Sequence, residues 1–188
     1  MRVYIVRHGE SENNLKKHWT GWFDAALTEK GYEDARGAGR ILGSVSFDQV
    51  FSSDLQRAKN TALTALPGCS PVTTPLLREI NVGSLADRPL SCLTKEINEM
   101  IAESGYKKLG GESYEDIAER VSTFREQLEG LECENVAVFT HAGWLREFLD
   151  QVMGVRLSRD RVKCGNCTVG IFDYTGGKWR LHSWMNLM

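Results

Sequence analysis

Apolar runs of strand length alternate along this chain with segments of helical period. The run "VYIV" at residues 3–6 predicts the first strand and is followed by a loop. "LTEKGYEDARGAGRILG" then predicts a helix, with Thr28 as N-cap and Gly43 as stop. Gly37 and Gly39 inside it lower helix propensity, which predicts that the helix packs tightly. "FDQVFSS" predicts a second buried strand. "SDLQRAKNTALTAL" predicts the next helix, with Ser53 and Gln56 spaced as a capping box and Pro67 ending it.

The stretch "PVTTPLLREINVGSLADRP" is punctuated by proline and glycine and predicts strand and loop. "LTKEINEMIAES" predicts a helix with Leu93, Ile97 and Ile101 on one face. A longer helix follows, capped by Ser113 and packing Ile117, Val121, Phe124 and Leu128. "NVAVFTHAG" predicts a strand, "WLREFLDQVMG" a short helix, and "TVGIFDYTGGKWRLHSW" a hairpin turning at Gly176-Gly177. Strand–helix alternation closed by an antiparallel hairpin predicts an α/β fold, a three-layer α/β/α sandwich with a mostly parallel sheet. With no repeat, low-complexity tract or linker, a single domain over residues 1–188 is expected. Ligands in such sheets bind beyond the carboxyl ends of the strands.

Composition narrows the partners. The formal net charge is -2, so no global basic field points to nucleic acid or a membrane surface, and any anion site must be local. No apolar run is long enough to span a bilayer, and "MRVYIV" lacks the features of a secretory signal, so a cytoplasmic location is expected. The five cysteines form no disulfide framework. Cys164 and Cys167 in "CGNC" could be half a zinc site or a redox pair, but no second ligand pair accompanies them and a structural role is preferred.

The candidate chemistry lies at the strand ends. Arg7, His8 and Gly9 follow the first strand, Arg57 lies one turn into the helix after the second, and His141 ends the strand "VAVFT". If these strands are parallel, their side chains converge, and two guanidinium forks can bind phosphate oxygens bidentately.

These residues, in "VRHGES" with Asn14, "SSDLQRAKNT", "LLREINVGS", "GGESYEDIAERV" and "VFTHAG", resemble the histidine phosphatase superfamily in order and over most of the chain. That family includes cofactor-dependent phosphoglycerate mutases and many small phosphatases. The resemblance implies that His8 becomes phosphorylated and that Arg7, Arg57 and His141 bind the phosphate. It also implies that Asn14 adds a polar contact and that Glu79 protonates the leaving group. Thr20 and Gly21, in a loop resembling that of the mutase branch, join the expected substrate-binding set. No metal or organic cofactor is implied. The expected partner is a small phosphorylated metabolite, with hydrolysis favoured over a mutase reaction and an α-ribazole phosphate-like ester as one substrate. The chain is shorter than the cofactor-dependent mutases, and a catalytically silent phosphate-binding module is the third reading. Oligomeric state is not readable.

Other residues stay outside that core. His18 and His182 lack comparable contexts and are expected to be structural or peripheral. Trp19, Trp22 and Phe23 either pack their loop onto the sheet or line the substrate mouth. Lys107 and Lys108 are either a solvated charge pair or an attractor for a second anionic group. Asn13 stands where family members often carry an aromatic residue, and Ser84, Leu85, Asp87 and Arg88 depart from the family pattern on the substrate side.

Overall fold

The computed structural model describes residues 1–157 and 162–187. Among the described residues six strands form one sheet: β1 (Arg2–Arg7), β2 (Gln49–Ser53), β3 (Val72–Thr74), β4 (Asn135–Thr140), β5 (Val169–Thr175) and β6 (Lys178–Met185). Their spatial order is β3-β2-β4-β1-β5-β6. β1, β2 and β3 run parallel to their neighbours through β4, whereas β5 and β6 are antiparallel additions. The helices are α1 (Glu12–Lys16), α2 (Glu29–Leu42), α3 (Gln56–Ala65), α4 (Lys95–Ser104), α5 (Tyr114–Glu129) and α6 (Ala142–Met153). This is the expected mostly parallel sheet with a terminal hairpin and helices on both faces.

Alternation along the central strands divides the core in two. Tyr4, Val6, Ala137 and Phe139 face α2 and α3 and meet small residues there, Ala35, Ala38, Ala62 and Ala65. Val3, Ile5, Val136 and Val138 face α5 and α6, where Phe124, Trp144 and Phe148 fill a deeper layer. The α2–α3 side is thin because a side chain at Gly39 would press against the Ala65 backbone, so the two helices approach closely as expected. Cys164 packs into the α5–α6 core and Cys167 into the other, and burial raises both thiols, Cys167 to about 12. That separation fits structural roles for the CxxC pair.

Two local expectations are corrected. Residues 12–16, read as loop, form the short helix α1, because Ser11 and Asn14 make a reciprocal capping box. The predicted Ser53–Gln56 capping box does not form. α3 begins after Leu55 with no side-chain cap from its own segment. Instead the Asp24 carboxylate accepts the Gln56 N–H at 2.8 Å from a distant loop. Arg57 is therefore the second residue of α3 rather than one turn in. Thr28 and Ser113 cap α2 and α5 as expected. Among the described residues no helix is long and apolar enough to cross a membrane.

The turn after β1 is locked against α2. A methyl group on Gly9 would collide with the Gly31 carbonyl, and one on Gly31 with the Glu10 carbonyl. The Thr28 N–H also donates to the Glu10 carbonyl at 3.0 Å. Gly31→Ala should therefore destabilise the protein by about 1–3 kcal/mol through overpacking. Urea unfolding checks this, and an unchanged midpoint would show that the turn and helix can part freely.

Candidate active site

Three parallel strand ends and the helices after them build the site. The His8 N–H still donates to the Thr140 carbonyl at 2.9 Å, one step past the β1–β4 ladder. His8 and His141 thus lie side by side, with ring centroids 5.1 Å apart. Arg57, just beyond β2, reaches the same place from α3, with its Nε 3.3 Å from His8 Nε2. A cavity of about 400 Å³ opens above them, lined among others by Arg7, His8, Asn14, Thr20, Gly21, Arg57, Glu79 and Arg146. His141 is fully buried beneath it.

The tautomer of His8 follows from its partners. Nδ1 lies 2.7 Å from the Gly9 carbonyl, which can only accept, so Nδ1 carries the proton. Nε2 then presents a lone pair toward Arg57 and the cavity. Burial, with Arg57 and Arg7 adding to it, holds the imidazole well below the ordinary histidine range, so the ring is neutral at pH 7. His141 is held low by burial and then by Arg57. Its Nε2 lies 2.9 Å from Ser53 Oγ, and its buried Nδ1 has no partner among the described residues. Ser53, expected to cap a helix, contacts His141 instead.

The guanidinium groups are held by neutral acceptors. Arg57 donates to the carbonyls of Phe23 and Gly21, both at 2.8 Å. Burial brings its pKa down to about 10, with the Glu79 and Asp24 carboxylates opposing, so it stays cationic. Arg7 donates to the Cys164 carbonyl at 2.5 Å, and its Nε has no partner among the described residues. Glu79 enters from the opposite wall. Its two carboxylate oxygens accept the N–H groups of Ile80 at 2.9 Å and Gly143 at 3.1 Å. Gly143 leaves room for that group, because a Cβ there would push the Glu79 carboxylate from its place. Asn14 lines the cavity, but its Oδ1 already accepts from the Ser11 N–H and from Asn166 Nδ2.

The aromatic loop divides its duties. Trp19 forms a cavity wall with Tyr106, their rings 6.0 Å apart. Trp22 donates from Nε1 to the Glu79 carbonyl at 2.7 Å and lies against Arg78, whose guanidinium carbon is 4.8 Å from the ring centre. Phe23 exposes its ring while its carbonyl holds Arg57. The run 84–88 packs onto this loop, with Asp87 N–H donating to the Trp19 carbonyl and Trp19 N–H to the Arg88 carbonyl. His18 lines the cavity beside Asp87, closer to the site than its sequence context indicated. His182 sits on the surface against Asp173. Lys107 and Lys108 do not line the cavity; they pair with Asp116 and Glu103 at the surface, which favours the solvated reading of the two.

Arg146 and Arg120 were not singled out from the sequence. Arg146 lines the cavity as a third guanidinium, and its buried Nε lacks a partner among the described residues. Its signal was an arginine inside the apolar helix "WLREFL", one turn after Ala142. Arg7, Arg57 and Arg146 face one carboxylate, Glu79, so the cavity is built for an anion.

A buried histidine pair, flanked by guanidiniums at the carboxyl ends of parallel strands, defines a phosphate-handling α/β protein. The chain belongs to the histidine phosphatase superfamily (branch 1), whose model matches residues 3–187. A probable phosphoglycerate mutase GpmB of Erwinia tasmaniensis is 30% identical over 98% of this chain and 90% of its own length. The crystal structure of a phosphoglycerate mutase from Thermus thermophilus is 33% identical, covers 100% of both chains and superposes with a TM-score of 0.77. A candidate alpha-ribazole-5'-P phosphatase from Escherichia coli is 26% identical over 97% of this chain and 94% of its own, with a TM-score of 0.84.

The depressed histidines couple folding to pH. Unfolded, each would take up a proton near pH 6.5; folded, both resist protonation. Their stabilising contribution is complete above that pH and is lost as the pH falls. In a phosphate-free buffer, stability should drop between pH 7 and 5.5 by up to about 1.4 kcal/mol per pH unit for each ring. His141→Asn should flatten the fall in Tm. An equally steep fall in that variant would assign the effect to other groups.

Proposed function

We propose that the protein is a metal-independent phosphatase that hydrolyses a small phosphomonoester through a phosphohistidine on His8. The observation that carries this reading is the His8 tautomer: Nδ1–H is fixed on the Gly9 carbonyl, and Nε2 is unprotonated at the floor of a cationic cavity. The dianionic ester docks on Arg7, Arg57 and His141, with Asn14, Thr20 and Gly21 around it. Phosphorus takes the place of the weak contact between Arg57 Nε and His8 Nε2. The Nε2 lone pair attacks phosphorus, the bond to the ester oxygen breaks, and Glu79, entering the step as the carboxylic acid, gives its proton to that oxygen. Water then attacks the phosphohistidine, Glu79 takes the water's proton, and the P–N bond breaks to release inorganic phosphate. Positioning and charge stabilisation carry most of the rate enhancement, as expected of phosphoryl transfer. Similarity to the alpha-ribazole-5'-P phosphatase candidate supports a small ester as substrate.

A second reading is supported by the mutase names of the relatives: transfer of the phosphoryl group between two positions of a small acid. It uses the same phosphohistidine and differs in whether water or a substrate hydroxyl accepts the group.

His8→Ala should reduce hydrolysis of p-nitrophenyl phosphate by at least about 10³-fold, since it removes the nucleophile. A rate near wild type would refute covalent catalysis. Activity should survive EDTA. A panel of phosphorylated metabolites, scored for phosphate release and for isomer formation, separates the two readings; isomer without phosphate release would favour the mutase. Glu79→Gln should slow an alkyl phosphate by about 10²–10⁴-fold and an aryl phosphate far less, because only the poor leaving group needs the proton.

A further inference from the structure

Arg120, on α5, lies outside the cavity lining, yet it holds the segment that carries Glu79. Its Nε and Nη2 donate to the two carboxylate oxygens of Glu112 at 2.9 and 3.0 Å. Nη1 donates to the carbonyls of Leu76 at 2.9 Å and Arg78 at 2.7 Å, and Nη2 to that of Glu79 at 3.2 Å. All five guanidinium N–H groups are thereby used. Glu112 completes the device: its Oε2 accepts the Asn81 N–H at 2.7 Å, and its own N–H donates to the Asn81 carbonyl at 2.9 Å. Both side chains are nearly enclosed, 12% and 14% exposed.

The segment needs such a clamp because it has little regular structure of its own. After a single 3-10 turn at Pro75–Leu77 the chain runs without helix or strand until another such turn at Gly83–Leu85. Leu76, Arg78 and Glu79 present carbonyls that no sheet neighbour receives. Trp144 Nε1 adds a bond to the Leu76 carbonyl and Trp22 Nε1 one to the Glu79 carbonyl. A guanidinium is the one side chain whose fork can meet three carbonyls and a carboxylate at once. Lysine can offer three protons from one point, so it can keep only part of the set.

We propose that the Arg120–Glu112 pair is a positioning device for proton transfer by Glu79, fixing the backbone on both sides of the carboxyl so that it meets the leaving-group oxygen. The inference rests on the acid role of Glu79 given above. A misplaced acid fails most where protonation is most needed. Loss of the clamp should therefore act on the leaving-group dependence of the rate rather than on phosphate binding.

The test compares wild type, Arg120→Lys, Glu112→Gln and Glu79→Gln on p-nitrophenyl phosphate and on an alkyl phosphate such as glycerol 2-phosphate, at a temperature below each Tm. The clamp variants should raise the ratio of aryl to alkyl turnover by about tenfold, a part of the effect general-acid loss produces. KM should change little. Glu79→Gln combined with Glu112→Gln should have no higher a ratio than Glu79→Gln alone. If Arg120→Lys does not fold, Glu112→Gln carries the comparison, since it leaves the arginine in place. Equal losses on both esters in the clamp variants, with Glu79→Gln still selective, would overturn the positioning role and leave the acid role standing. No selectivity in Glu79→Gln itself would overturn both.

Discussion

A neutral imidazole held between guanidinium groups is the constraint around which this molecule is arranged. His8 can keep a lone pair on Nε2 because its other nitrogen is tied to the carbonyl of the next residue. The segment that holds this carbonyl is fixed where Gly9 and Gly31 meet backbone to backbone. Burial and the two flanking arginines then keep a second proton off the ring. His8, sheet and the first turn of α2 thus form one continuous piece of structure.

The manner in which the arginines are held matters as much as their number. Arg57 is fixed by the carbonyls of Gly21 and Phe23, and Arg7 by that of Cys164. Carbonyl dipoles orient a guanidinium without cancelling its charge, so the positive potential remains available to an incoming anion. Arg120 shows the opposite arrangement. It is matched by the Glu112 carboxylate and turned toward backbone, as suits a group that builds rather than binds. The same residue type therefore serves two ends, and the partner distinguishes them.

The two sides of the cavity are built differently. The cationic end rests on strand ends and helix starts. The far wall comes from Trp19, Tyr106, Val82 and Leu90 on irregular segments that pair with one another through backbone bonds between residues 17–19 and 87–90. The two sides are nonetheless tied together, because the loop that carries Trp19 also supplies the Gly21 and Phe23 carbonyls that hold Arg57. The run 84–88, which departs from the family pattern, lies behind that wall: it does not line the cavity but bonds to the Trp19 backbone through Asp87 and Arg88.

Much of this was legible from residue order. Apolar runs of strand length marked the strands, the Thr28 and Ser113 caps marked helix starts, and Arg7, His8, Arg57 and His141 stood where parallel strands end. Those signals are local, since each depends on neighbours within one or two turns of chain. The capping of α3 was misread because Asp24, not Ser53, receives the Gln56 N–H, and no window of sequence joins those residues. Arg146, Arg120 and Glu112 were passed over for the same reason: a charged residue in a helix looks solvated until packing decides its neighbours. The pairing of Lys107 and Lys108 with carboxylates was likewise fixed only by folding. Sequence alone determined which elements form and which residues reach the strand ends, because backbone propensity and hydrophobic period act at short range. Tertiary structure decided which charges stay free and which are consumed, because that depends on contacts between segments far apart in the chain.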